Sequence, residues 1–161
     1  MILELISNSP EETQQLGHKI GGLLKPGDWI GLTGELGAGK TCLTQGIAQG
    51  AGVAASVPVT SPTFIIHQTY PGRIDLYHLD LYRLSSFEEL HEIGYLELVT
   101  GDGACVVEWF EKIKEAVPDQ GLVISLEIVD EKERSISVSG IGKRGGDLVG
   151  GLKELLYPST G

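Results

Sequence analysis

Residues 29–41 read WIGLTGELGAGKT, and the reading of this stretch decides the fold. Trp29–Thr33 is a brief apolar run with the length of a buried strand. Gly34, Glu35, Leu36, Gly37, Ala38, Gly39, Lys40 and Thr41 follow it at once. Two glycines bracket four residues, and a lysine and a threonine come next. Leu43, Ile47 and Ala48 then recur at helical spacing to about Gly50. The order strand, glycine loop, helix gives such an octet its chemical meaning. Glycines let the backbone wrap tightly, so several N–H groups aim inward at a phosphate. The helix start adds the positive end of its dipole. Lys40 can reach the β- and γ-phosphates as a mobile cation, and the Thr41 hydroxyl can ligate Mg²⁺. The competing reading, a glycine-rich turn with an unrelated lysine, leaves the flanking strand and helix as coincidence.

A phosphate-binding loop of this kind needs a second acid, at the end of another apolar strand, to hold the metal or order water. Ala104-Cys105-Val106-Val107-Glu108 meets that demand, and Glu108 is the expected second metal contact, directly or through water. A third element is Tyr77-His78-Leu79-Asp80-Leu81-Tyr82-Arg83. Alternation sets His78, Asp80 and Tyr82 on one side of an extended segment. A carboxylate there can orient an attacking water or bind the metal's water shell, or it can be part of a solvated strand face. Arg83 can answer phosphate charge or pair with a neighbouring acid. Cys42 and Cys105 read as small buried residues. His18 and His91 read as helix-surface residues, and the four histidines show no metal-ligand spacing.

Outward from these motifs, the residues at 1–6, MILELI, suggest an edge strand. Ser9-Pro10-Glu11-Glu12 is a helix start, with serine as cap, proline in the first turn and glutamate three residues on. Leu16, Ile20, Leu23 and Leu24 give that helix one apolar face. Residues 51–62 read as a loop. Thr63–Tyr70 and Arg73–Leu81 flank Pro71-Gly72 as one hairpin. Leu122–Val129 and Arg134–Val138 flank Asp130-Glu131-Lys132 as a second. Ser86-Phe87-Glu88-Glu89 opens a short helix. A glycine-rich tail runs from about Gly140 to Gly151 and becomes helical at Leu152–Leu156.

The 161 residues suit a single domain over 1–161. Apolar residues make up 41% and charged residues 21%, which excludes a disordered chain. Two distant cysteines suggest neither a disulfide framework nor a zinc site. The N-terminus lacks the basic and apolar regions of a signal peptide, and no run is long enough to span a membrane, so a cytoplasmic protein with no membrane role is expected. The net charge is −10. A chain that grips nucleic acid by itself usually shows a basic face, and here only Lys143-Arg144 stand side by side. Any nucleic acid is therefore expected to be held by another protein.

Subclasses of phosphate-loop proteins differ in what they carry besides the loop. A guanine-reading Asn/Thr-Lys-x-Asp motif is absent, and so is a Leu-Ser-Gly-Gly signature. Nucleotide kinases use arginine-bearing lids, and only Arg83 of four arginines lies among the motifs. In order and spacing, GELGAGKT, Ser61-Pro62-Thr63-Phe64, YHLDLYRL at 77–84 and Glu108-Trp109 resemble the TsaE (YjeE-type) ATPase family of bacterial tRNA threonylcarbamoyladenosine synthesis. Pro10-Glu11-Glu12-Thr13 is similar too, and the likeness covers roughly residues 9–139. The resemblance implies an α/β, P-loop NTPase-like three-layer fold with a mixed, mainly parallel central sheet and β-hairpin additions. It implies slow, Mg²⁺-dependent ATP hydrolysis, switched on by assembly with TsaD and TsaB. TsaD transfers the threonylcarbamoyl group to adenosine beside the anticodon, so tRNA is met only through the complex. Carried onto this chain, Gly34 to Thr41 bind ATP phosphates, with Lys40 among the catalytic groups. Thr41 and Glu108 hold Mg²⁺, and Asp80 acts on the water or the metal shell. Ser61–Phe64 senses the γ-phosphate, Trp109 lies beside the site, and Thr13 and Arg134 touch the outer parts of the nucleotide. Cys42 and Phe110 depart from the family pattern, as does the tail. A small-molecule phosphotransferase and a non-hydrolysing nucleotide sensor are the alternatives.

Overall fold

The computed structural model describes residues 2–60 and 66–159. Its first strand, β1 (Ile2–Ser7), leads to helix α1 (Pro10–Leu23), which starts as its sequence dictates. Ser9 is extended and its hydroxyl accepts the Glu12 N–H, with Pro10 in the first turn. The Glu12 carboxylate accepts from the N–H of Asn8, at 2.6 Å, one residue short of the reciprocal bond that the capping box expects. The far end of α1 is closed by two arginines from elsewhere. Arg73 donates to the carbonyls of Gly21 and Leu24, and Arg144 to that of Leu23.

Strand β2 (Trp29–Thr33) feeds the octet, and helix α2 (Lys40–Gly50) leaves it. Strands β3 (His67–Tyr70) and β4 (Leu76–Asp80) come next. Helices α3 (Phe87–Glu92) and α4 (Tyr95–Val99) precede β5 (Ala104–Glu108). Two 3-10 turns (Phe110–Lys112 and Lys114–Ala116), β6 (Gly121–Ile128), β7 (Arg134–Ile141) and α5 (Gly142–Leu156) complete the chain.

The seven strands form one sheet in the order β1-β7-β6-β2-β5-β4-β3. β6, β2, β5 and β4 are mutually parallel, and β7, β1 and β3 join by antiparallel pairing, so the sheet is mixed, with five strands running one way. The β6–β7 hairpin adds one wing and the β3–β4 hairpin the other. Both faces are covered. Leu16 and Ile20 of α1, Leu43 and Ile47 of α2, and Leu148 and Leu152 of α5 pack over Ile30, Leu32 and Val106. Leu90 of α3, Tyr95 of α4 and Phe110, Ile113 and Ala116 of the 3-10 turns pack over Trp29, Leu79 and Val107 on the other face. The Trp29 indole N–H donates to the Tyr95 hydroxyl at 2.7 Å, which donates to the Ala116 carbonyl at 2.6 Å, so the polar tips in this layer are satisfied.

The glycine-rich tail is not what its composition suggests. β7 runs on to Ile141, and α5 is helical from Gly142, ten residues before Leu152. Gly145, Leu148, Val149 and Leu152 form its buried stripe, and this docking overrides the weak helix propensity of glycine. Gly140 and Gly145 approach so closely that a Cβ on either would meet backbone of the other at 2.6–2.8 Å. Cys105 is buried as expected, but Cys42 is half-exposed, its thiol against the Pro10 carbonyl.

Candidate functional site

The octet sits at the carboxyl end of β2, between the carboxyl ends of β5 and β6, where open α/β sheets hold their ligands. Its glycines at 34, 37 and 39 all have positive φ. Two of them cannot be replaced without rebuilding the loop. Gly39, at φ 106°, is the N-cap of α2, and Leu43 N–H bonds back to its carbonyl at 2.9 Å. A Cβ on Gly34 would lie 2.7 Å from the Leu126 carbonyl of β6. Ala38 is fully buried and Leu36, at the loop's tip, is 97% exposed. Glu35 faces solvent, and its carbonyl accepts the Ala38 N–H.

Parallel pairing brings the two candidate acids to the loop. Asp80 of β4 is the register partner of Glu108 of β5, which in turn pairs with Leu32 of β2. The alternation along β4 and β5 places His78, Asp80 and Glu108 on the α2 face of the sheet. Tyr82 lies beyond the end of β4, in the turn that follows, so it leaves the row that alternation had assigned to it. Glu108 is buried, and its two oxygens point to different partners. Oε1 is 3.8 Å from the Lys40 ammonium, and Oε2 is 2.7 Å from Nε2 of His78. The Lys40 ammonium also lies 5.3 Å above the Trp109 ring, within cation–π range. Asp80 is half-buried, and its Oδ1 accepts the Tyr82 N–H at 2.9 Å. Burial raises its carboxyl above the ordinary aspartate value. The Tyr82 N–H opposes this, Glu108 adds to it, and His78 and Lys40 oppose it.

Trp109 is the chain's one non-glycine residue with positive φ among the described residues, at 60°. A left-handed aromatic residue costs on the order of 1–3 kcal/mol and persists where its surroundings hold it. Here Tyr82 packs edge-on at 5.1 Å, and Lys112 lies over the Tyr82 ring while donating to the Tyr82 carbonyl. The indole is thereby presented to Lys40 while 37% exposed.

Thr13 and Arg134 both reach the octet from outside. Thr13 is buried beneath it. Its hydroxyl is 2.7 Å from that of Ser7, and its methyl is 3.9 Å from where a Gly39 Cβ would stand. Arg134 is held at the end of the β6–β7 hairpin by the carbonyls of Asp130 and Glu133, and it donates to the Gly37 carbonyl at 3.3 Å. Ser61–Phe64 falls outside the described residues. Thr41 stands in the first turn of α2, half-exposed.

One contact of the candidate acids escapes a reading of sequence. His78 is fully buried and bonds Glu108, although 30 positions separate them. The available signal was a histidine two residues before Asp80 inside a strand of otherwise apolar pattern. No group of three or more His, Cys, Asp or Glu among the described residues could cage a metal. One buried carboxylate and one threonine hydroxyl are the hard oxygen donors that Mg²⁺ accepts when phosphates and waters fill its other positions, so the residues present fit that ion.

The family profile described as "Threonylcarbamoyl adenosine biosynthesis protein TsaE" matches residues 7–136. A tRNA threonylcarbamoyladenosine biosynthesis protein TsaE of Treponema pallidum is 40% identical over 137 residues, which is 85% of this chain and all of that one. The Bacillus subtilis protein of the same name is 39% identical over 137 residues, 84% of each chain. Among solved structures, Bacillus subtilis YdiB superposes with a TM-score of 0.84 at 33% identity, over 98% of this chain and 97% of that one. With a profile match over most of its length and relatives of near-equal size, the chain belongs to the TsaE family.

Proposed function

We propose that this chain is a cytoplasmic, Mg²⁺-dependent ATPase, slow by itself and activated by TsaD and TsaB, that supports threonylcarbamoylation of adenosine beside the anticodon of tRNA. The tRNA half of the reading is supported by the names of the relatives. The ATPase half is supported by one observation above the others: Lys40, in the first turn after the glycine loop, shares a small space with the buried acid Glu108.

In this reading the N–H groups of Gly34–Gly39 surround the phosphates, and Lys40 moves toward them. Triphosphate carries more charge than one carboxylate, so the phosphates draw the ammonium from Glu108 and leave Oε1 to the metal side. Thr41 and Glu108 would hold Mg²⁺, which when bound offsets the charge that develops on the transferring phosphoryl group. Asp80, one strand from Glu108, orients the attacking water in this reading. Trp109 keeps Lys40 within the site by its ring face. No basic surface is needed, because TsaD and TsaB supply the contact with tRNA.

The test is ATP hydrolysis by the pure protein with Mg²⁺, with and without the TsaD–TsaB pair. Weak hydrolysis that rises with the pair and disappears in Lys40→Ala is the expected result. Hydrolysis indifferent to the pair, with rapid phosphorylation of a metabolite, would replace this reading by a small-molecule phosphotransferase.

A further inference from the structure

The pairing of His78 with Glu108 has a directional consequence. Both side chains are buried, and they meet at 2.7 Å through Nε2 and Oε2. The other ring nitrogen, Nδ1, is buried with no hydrogen-bond partner among the described residues. With its hydrogen on Nδ1, the ring would bury an unsatisfied donor and turn a lone pair toward a carboxylate oxygen, two acceptors in contact. The ring therefore carries its hydrogen on Nε2 and donates it to Oε2. Only Oε1 then faces the octet, where Lys40 lies at 3.8 Å.

A glutamate side chain has three rotatable bonds, and its carboxylate turns freely about the last of them. A fully buried ring on the adjacent parallel strand, its Cα in register with Val106, removes that freedom. We propose that His78 is a positioning residue: it fixes the rotation of the Glu108 carboxylate, so that Oε1 alone is presented to the Mg²⁺–nucleotide. This rests on the reading of Glu108 as a metal contact. A histidine that only filled the core would need no bond to the site's acid, and the orphaned Nδ1 shows that the ring is not placed to satisfy itself. Partners that orient a metal-ligating side chain commonly affect metal affinity by about 10- to 100-fold when removed.

The experiment titrates Mg²⁺ into the full-length protein bound to ADP and, separately, measures ADP affinity in EDTA. His78→Leu should raise the Mg²⁺ midpoint about tenfold or more, with ADP affinity in EDTA unchanged within about twofold. His78→Gln, which keeps an N–H donor, should recover most of the shift. A folded His78→Leu with an unshifted midpoint overturns the proposal, as does equal weakening of both affinities. Should His78→Leu not fold, nitrogen-15 NMR of the wild-type imidazole decides. A hydrogen on Nε2 that stays bonded when Mg²⁺ and ADP are present supports the proposal, and one on Nδ1 overturns it. A wild-type chain that binds no ADP overturns the proposed function and this inference together. One that binds ADP without any response to Mg²⁺ overturns the inference and leaves nucleotide binding standing.

Discussion

Asp80 carries its charge against the interest of the fold. Its carboxyl sits above the ordinary aspartate value, chiefly through burial. A folded value raised above the unfolded one means that the folded chain binds the proton more readily. Ionised Asp80 therefore weakens the fold at neutral pH, and that cost disappears as the pH falls through the folded value. Asparagine keeps the oxygen that accepts the Tyr82 N–H and removes the charge. At pH 7.5, Asp80→Asn should melt at the wild-type temperature or roughly 1–3 °C above it, the gain fading toward acid. ATP hydrolysis should fall about 100-fold or more, the contribution of a positioned carboxylate acting on a reacting water. A lowered melting temperature with unchanged hydrolysis would make Asp80 a structural residue. The same scale shows what sequence carries and what it does not. Lys40 and Thr41 were legible because their motif is local. Glu108 was legible as a candidate because it ends an apolar strand, and Asp80 because alternation set it on one side of an extended segment. The His78–Glu108 bond was not, because alternation fixes the face a side chain takes but not which strand lies beside it. The left-handed backbone of Trp109 was equally hidden, since glycine or asparagine is what such a position ordinarily announces.

The helix that carries Lys40 is positioned by another helix at backbone distance. Gly17 and Gly21 of α1 face Gly46 and Gly50 of α2. A Cβ at Gly46 would meet the Gln14 carbonyl at 2.1 Å, and one at Gly50 the His18 carbonyl at 2.1 Å. In return, Gly17 and Gly21 stand against the carbonyls of Leu43 and Ile47. Any added methyl must push the helices apart, and α2 holds the octet's lysine in its first turn. Gly46→Ala should destabilise by about 2 kcal/mol or more and lower the melting temperature by roughly 4–8 °C. Gly150→Ala makes the opposite case. It is an exposed position within α5 where a Cβ meets nothing within 4 Å, so it should gain about 0.5–1 kcal/mol. Thermal melts of the two variants decide, and equal signs would refute the contact. Glycine also explains why the sequence announces α1 and hides most of α5. The cap at Ser9 and the spacing of Leu16 and Ile20 announce α1, whereas the N-cap of α5, Ile141, has no capping side chain, the first-turn N–H of Arg144 being met by the distant Gln120, and its stripe at Leu148, Val149 and Leu152 is diluted by glycine.

For the molecule as a whole, charge sets what it can touch alone. Twelve basic residues stand against 22 acidic ones, a net charge of −10. The folded chain reduces its usable basic surface further. Arg144 is locked onto Asp28 by two bonds of 2.7 and 2.8 Å, and its neighbour Lys143 pairs with Asp147, so the only dibasic step in the sequence answers its own acids. Arg73 closes α1, and Arg134 is turned toward the hairpin and the octet. Binding to a nucleic-acid backbone depends on neutralising several phosphates at once, and each contact adds nearly one unit to the slope of affinity against salt. With Arg73, Arg134 and Arg144 engaged internally and the remaining cations outnumbered by acids, the isolated chain should show no binding to tRNA at about 0.1 M salt and tens of micromolar protein, by fluorescence anisotropy of labelled tRNA. It should gain none that is salt-dependent when ATP and Mg²⁺ are added. Retention of the chain on tRNA only when TsaD and TsaB are present would place the nucleic-acid contact in those partners. Salt-dependent binding by the chain alone, tighter than about 1 µM, would overturn that division of labour.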